Sequence, residues 1–193
     1  MNEGLIFASL TVLLFGSWAV PTKTLNVDPK VQAFWLTVGH FILSTFIFLF
    51  FLQPFTAAQF FYPLGAGLLW SLGIIAGYRG IKELGITRAL GIWIPVVILT
   101  STLWGLFYFG EAFEMTSTQL GQTVVSILLL ISAALFIVLS SKGEKKLGNV
   151  KLGIIMSFTL GLIHGSFFIP LAQSGLPITA SFFPMTLGMV MVT

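Results

Sequence analysis

Six apolar runs of near-spanning length follow one another with short polar breaks, at 4–22, 31–52, 63–80, 86–109, 119–141 and 150–171, and a seventh begins at 178. At about 1.5 Å of rise per residue, a helix of ~20 residues crosses a hydrocarbon core of about 30 Å. Lipid offers no partner to a backbone N–H or C=O, so only helices and closed barrels can span it. The runs lack period-2 alternation and exceed the roughly 10 residues of a barrel strand, which predicts helices. Composition agrees: 56% of residues are hydrophobic and 8% charged, with a mean hydropathy of +1.02, where a soluble domain carries about a quarter charged residues. The chain reads as an all-α integral membrane protein.

The first run starts from Glu3 without a basic stretch and exceeds signal-peptide length, so it is expected to stay as a helix. The absence of cysteine excludes disulfides, thiolate metal sites and a Cys nucleophile. The net charge of +3 is spread over short loops rather than gathered on a soluble face, so it does not point to nucleic acid.

One motif recurs. Gly16-Ser17-Trp18-Ala19-Val20-Pro21 in the first run is echoed by Gly165-Ser166-Phe167-Phe168-Ile169-Pro170 in the sixth, 149 positions on. In the same register Gly4 matches Gly153, Phe34 matches Phe183, Thr37 matches Thr186 and Gly39 matches Gly188. This predicts two copies of one unit, as in many membrane transporters. Lys23 and Lys30, then Arg79, Lys82 and Arg88, then Lys142, Lys145, Lys146 and Lys151 all fall on one side, opposite Glu3, Glu111 and Glu114. The positive-inside rule then places the amino terminus outside. Five helices per copy is an odd number, so the second copy should be inverted.

The expected organisation is a first five-helix repeat over 1–141, a cytoplasmic linker over 142–149, and the start of an inverted repeat over 150–193. The seventh run stops at Thr193, short of the ~20 residues needed to span. The chain thus reads as a five-plus-five inverted-repeat bundle truncated in its seventh helix, a fragment expected not to transport alone.

Pro21 and Pro170 would interrupt helices at opposite membrane faces. With Gly16, Gly165 and the mid-helix Pro95 they are hinge or gate candidates, the plainer reading being that proline ends a span and glycine packs it. His40 and His164 lie near mid-helix, where polar side chains usually face the bundle interior. They could hold a substrate or a coupled proton, or bond neighbouring helices. Trp70 beside Ser71, and Trp93 two residues before Pro95, supply rings near hydroxyls, the usual way to hold a sugar. With Ser17, Trp18 and Ser166 these complete the candidate substrate-binding set; Trp18 and Trp35 also suit an interfacial belt. Gly73-x-x-x-Gly77 and Gly161-x-x-x-Gly165 read as close-packing patterns. Arg79, Lys82 and Glu83 read as snorkelling or paired at the inner surface. No Walker loop, HExxH pattern or acidic pair lies within a span, so neither ATP drive nor metal hydrolysis finds support, and no cofactor or metal is expected.

The tracts Gly67-Leu68-Leu69-Trp70-Ser71-Leu72-Gly73, Leu84-Gly85-Ile86-Thr87, Leu103-Trp104-Gly105-Leu106-Phe107-Tyr108-Phe109-Gly110-Glu111 and Gln119-Leu120-Gly121 resemble the first half of the glucose/ribose porter family, a branch of the drug/metabolite transporter superfamily. The resemblance implies a ten-helix inverted-repeat fold, alternating access, and sugar uptake coupled to protons.

The leading reading is a secondary active transporter of a small polar metabolite, foremost a monosaccharide such as glucose or ribose, in the cell membrane. Its expected partners are the substrate, membrane lipid and a coupling proton; a homodimer is compatible with the fold. An alternative is an exporter of amino acids or amphipathic compounds. A membrane-embedded enzyme or sensor subunit is more remote, since no spacing unites Ser17, Ser71, His40 and His164 into a catalytic constellation.

Overall fold

The computed structural model describes residues 6, 9, 10, 13, 27–50, 54–140 and 148–193, and every regular element among them is helical. α1 is Pro29–Phe50, α2 is Ala57–Leu84, and α3 is Ile86–Leu103, continuing into a π turn at Trp104–Tyr108. Beyond the short α4, Glu111–Glu114, come α5 at Ser117–Ser140, α6 at Val150–His164, α7 at Phe168–Gln173 and α8 at Ile178–Val192. Five helical stretches are long and apolar enough to cross a membrane: α1, α2, α3 with its π turn, α5, and α6 with α7; α8 is shorter. The chain is a multi-pass membrane protein. They correspond to the second to sixth apolar runs, and α8 to the seventh; Gly16, Ser17, Trp18 and Pro21 of the first run lie outside the described residues.

Polar caps set where these helices start. α2 begins at Ala57, ahead of the run read from hydropathy, because Thr56 and Gln59 form a capping box. Gln59 N–H donates to Thr56 Oγ1 at 3.3 Å and Thr56 N–H to Gln59 Oε1 at 3.0 Å. Thr116 and Gln119 open α5 in the same way. Asn149 caps α6 by accepting from Leu152 N–H at 3.1 Å. Gly85, at φ +83°, is the single residue between α2 and α3, a backbone that side chains rarely adopt.

α2 is the central helix, packed on α1, α3, α6 and α8, while α3 also packs on α5 and α6. Glycines make these seams narrow. Gly67 faces the Met185 carbonyl and Gly188 the Leu64 carbonyl across the α2–α8 seam. Gly161 and Gly165 face α3, where an added Cβ would lie 2.5 Å from Val96 and Thr100 respectively. Such close approach lets van der Waals contact hold helices that gain nothing from burial away from lipid. Buried Leu84, Ala89, Trp93 and Leu160 form one core cluster, and Ala33, Ile74 and Tyr78 another.

Charge gathers at one end. Arg79 pairs with Glu83 at 2.7 Å, and Glu83 Oε2 accepts from Asn149 N–H at 2.7 Å, so one nearly buried carboxylate joins the α2–α3 hairpin to the start of α6.

The two prolines behave differently. α3 runs unbroken through buried Pro95 and departs from regularity only at the π turn, where Phe109 N–H donates to Trp104 O at 3.0 Å. α6 ends in a turn over 165–167, and Pro170 is the third residue of the α7 helix that follows. Pro170 has no N–H to offer the Ser166 carbonyl, which instead accepts from Ile169 at 3.1 Å.

Candidate functional site

α1, α2, α6 and α8 bring two imidazoles and an indole together. The His164 ring stacks on Trp70, with centroids 5.2 Å apart and planes 18° from parallel. His40 meets Trp70 edge-on at 5.5 Å, and its other side faces Phe182 of α8 at 6.3 Å. Phe167, in the break after α6, lies edge-on to His164 at 6.0 Å. Gly73 makes room for this: a Cβ there would sit 2.5 Å from His164 Cδ2. The Gly73-x-x-x-Gly77 pattern therefore packs α6 and also admits the His164 ring.

The hydrogen bonds assign the tautomers. His164 Nε2 bonds the Trp70 carbonyl at 2.9 Å, and His40 Nδ1 bonds the Leu36 carbonyl at 2.8 Å. A carbonyl only accepts, so both of those nitrogens carry hydrogen. A neutral ring then keeps one acceptor, Nε2 on His40 and Nδ1 on His164. Two acceptors beside an aromatic face are the groups a polyhydroxylated ring uses: hydroxyls donate in the plane while C–H groups lie on the indole.

The other sequence candidates fall elsewhere. Ser71 Oγ donates to the Met189 carbonyl at 2.8 Å and is fully buried, binding α2 to α8. Trp93 is in the core, where its ring lies against Gly77. Ser166 donates to Leu162 O and accepts from Trp104 Nε1, both at 2.8 Å, so it belongs to a second group near the π turn. There Trp104 lies edge-on to Tyr108, whose hydroxyl accepts from Gln173, and Phe109 stacks on Phe168 at 5.9 Å. This group ties the π turn of α3 to the broken helix α6–α7. Tyr108, Phe167, Gln173 and Phe182 were not among the sequence candidates; Tyr108 and Phe167 stand inside quoted motifs, whereas Gln173 and Phe182 have no distinguishing signal in one sequence.

A separate groove of ≈560 Å³ between α3 and α5 is lined by Ile98, Thr102, Gln119, Gln122, Thr123 and Ser126 among others. Its Thr123 and Ser126 hydroxyls donate to carbonyls of their own helix, and no aromatic ring lines it.

Fold and site together define a helical membrane protein with a polar aromatic cluster midway along its spans. The family model of the sugar transport proteins matches residues 6–193, and the chain belongs to that family. It is similar to the glucose uptake protein GlcU of Bacillus subtilis, 29% identical over 165 residues, which cover 82% of this chain and 56% of that protein. The probable glucose uptake protein GlcU of Priestia megaterium is 28% identical over 156 residues, 79% of this chain and 54% of that protein. The putative sugar uptake protein YxfA of Lactococcus lactis is 24% identical over 127 residues, 66% of this chain and 43% of that protein. The chain spans about half the length of the curated relatives it matches. No solved structure matches it. The family is one of transport proteins, not of enzymes.

Proposed function

We propose that the chain forms part of a secondary transporter moving a monosaccharide such as glucose or ribose by alternating access, with uptake coupled to protons. The observation that carries this reading is the Trp70–His164–His40 cluster, where four helices put an indole face beside two imidazole acceptors. The relatives' names as glucose and sugar uptake proteins support the same substrate class. In this reading the Arg79, Lys82 and Arg88 end is cytoplasmic and the Glu111 and Glu114 end external, so α1 runs outward and α2 inward. Residues 1–141 make the first repeat and 150–193 begin an inverted second. His40 and His164 are the residues through which a proton would couple, since each neutral ring keeps one nitrogen that can accept a proton.

Counterflow of labelled glucose into proteoliposomes, against a panel of sugars and amino acids, tests the substrate. Glucose or ribose should exchange and amino acids should not; efflux of amino acids without sugar counterflow overturns the reading. An inward proton gradient should accelerate sugar uptake in the same vesicles.

A further inference from the structure

α1 and α8 meet through side-chain hydroxyls. Thr37 Oγ1 and Thr193 Oγ1 are 2.7 Å apart, and Ser44 Oγ bonds Thr186 Oγ1. Thr37, Ser44 and Thr186 are almost completely buried. The four positions are not independent. Thr186 lies 149 positions after Thr37, and Thr193 lies 149 positions after Ser44, the offset of the Gly-Ser-x-x-x-Pro motif. Exchanging the two copies therefore turns the Thr37–Thr193 bond into the Ser44–Thr186 bond and the reverse. The helices obey the same offset, α1 starting at Pro29 and α8 at Ile178. The local bonds of one equivalent pair match as well, Thr37 Oγ1 donating to Phe34 O at 2.9 Å and Thr186 Oγ1 to Phe183 O at 3.0 Å, whereas Ser44 reaches back three residues to Phe41 O and Thr193 four to Met189 O.

We infer that α1 and α8 cross antiparallel on a local two-fold axis, beside His40 and Phe41, and that these four hydroxyls form a pivot that stays closed in both access states. The second half of the inference rests on the alternating-access reading above, and follows from symmetry. In an inverted-repeat transporter the two end states are related by exchanging the conformations of the copies. A contact whose exchanged image is absent from one state is lost in the other. The Thr37–Thr193 and Ser44–Thr186 set is mapped onto itself, so a state that has both bonds has an exchanged counterpart that also has both. The axis also places His40 where the two copies meet on equal terms.

Residues 1–193 contain no cysteine, so paired substitution in a full-length background freed of any cysteine beyond them reads the register directly. Thr37→Cys with Thr193→Cys, and Ser44→Cys with Thr186→Cys, are oxidised with a membrane-permeant catalyst in the full-length protein in proteoliposomes. Both in-register pairs should cross-link, at rates within about threefold of each other, because the hydroxyl spacing suits Cβ atoms ~4 Å apart. The out-of-register pairs, Thr37→Cys with Thr186→Cys and Ser44→Cys with Thr193→Cys, should not. Failure of either in-register pair in protein that inserts and purifies normally overturns the axis. An in-register pair more than ~10-fold slower than the other overturns the invariance of the pivot, because a seam that opens in one state loses that fraction of its closed population. Locked protein should keep glucose counterflow within about twofold of the uncross-linked variant, and a loss of ~10-fold restored by reduction likewise overturns the pivot. Absence of glucose counterflow in the parent protein defeats the sugar reading alone, since the cross-linking pattern and rates judge the pivot without it.

Discussion

α2 and α5 invert the expectation that the most apolar helix lies deepest. α5 is the more apolar of the two, yet none of its described residues is buried, whereas α2 buries twelve of its 28. Lipid is as apolar as leucine, so hydrophobicity confers no preference for the protein interior once a helix is in the bilayer. What places α2 at the centre is the set of features that lower its hydropathy: glycines that admit neighbouring backbones, Ser71 bonded to α8, and Trp70 whose carbonyl holds His164. α5 satisfies its hydroxyls on its own carbonyls, as at Ser132 with Leu128, and directs leucine outward.

That contrast breaks most readily at Gly67. Gly67→Leu would drive a side chain into the Met185 carbonyl and should cost at least ~3 kcal/mol, read as loss of folded protein in detergent. A stable variant would show that the α2–α8 seam is looser than its glycines indicate. Trp70→Ala should leave the protein folded but lower sugar counterflow by ~10-fold or more through a higher KM, because in the proposed site it removes the indole face offered to a sugar ring. Unchanged KM would remove the cluster from the substrate path. Ser71→Ala deletes one buried interhelical bond, and a loss of about 1 kcal/mol in detergent unfolding is expected. Smallest of all, Leu129→Ala on α5 should shift stability by less than ~0.5 kcal/mol. A clearly larger loss would mean that α5 has a packing partner and that the contrast with α2 is overstated.

Much of the bundle was legible in the sequence because the bilayer imposes one strong rule, that a long apolar run must be a hydrogen-bonded helix. Helix starts were less legible. Hydropathy placed the third run at Pro63, but the Thr56–Gln59 capping box begins α2 at Ala57, since a cap depends on local hydrogen bonds rather than on apolar content. Prolines were ambiguous for a related reason. Pro95 sits in a helix that stays continuous, and Pro170 follows a break, because Gly165 and Ser166 precede only the second.

The candidate residues separated in the same way. His40, Trp70 and His164 were each visible as costly or unusual at their depth. Nothing in the spacing of three separate helices could show that they meet, while Ser71, Trp93 and Ser166 bind, pack or brace elsewhere. The repeat offset marked Thr37 and Thr186 as equivalent, but their hydrogen bonds to Thr193 and Ser44 emerged only when α1 and α8 were seen to cross.

By itself, the sequence determined that this chain is a bundle of membrane helices, because burial in lipid is a property of the order of residues alone, and its 149-residue offset is what the proposed repeat rests on. Only the tertiary structure decided which polar groups face one another. Side-chain partnership in a membrane depends on which helices approach closely, and that is settled by glycine contacts between segments far apart in the chain.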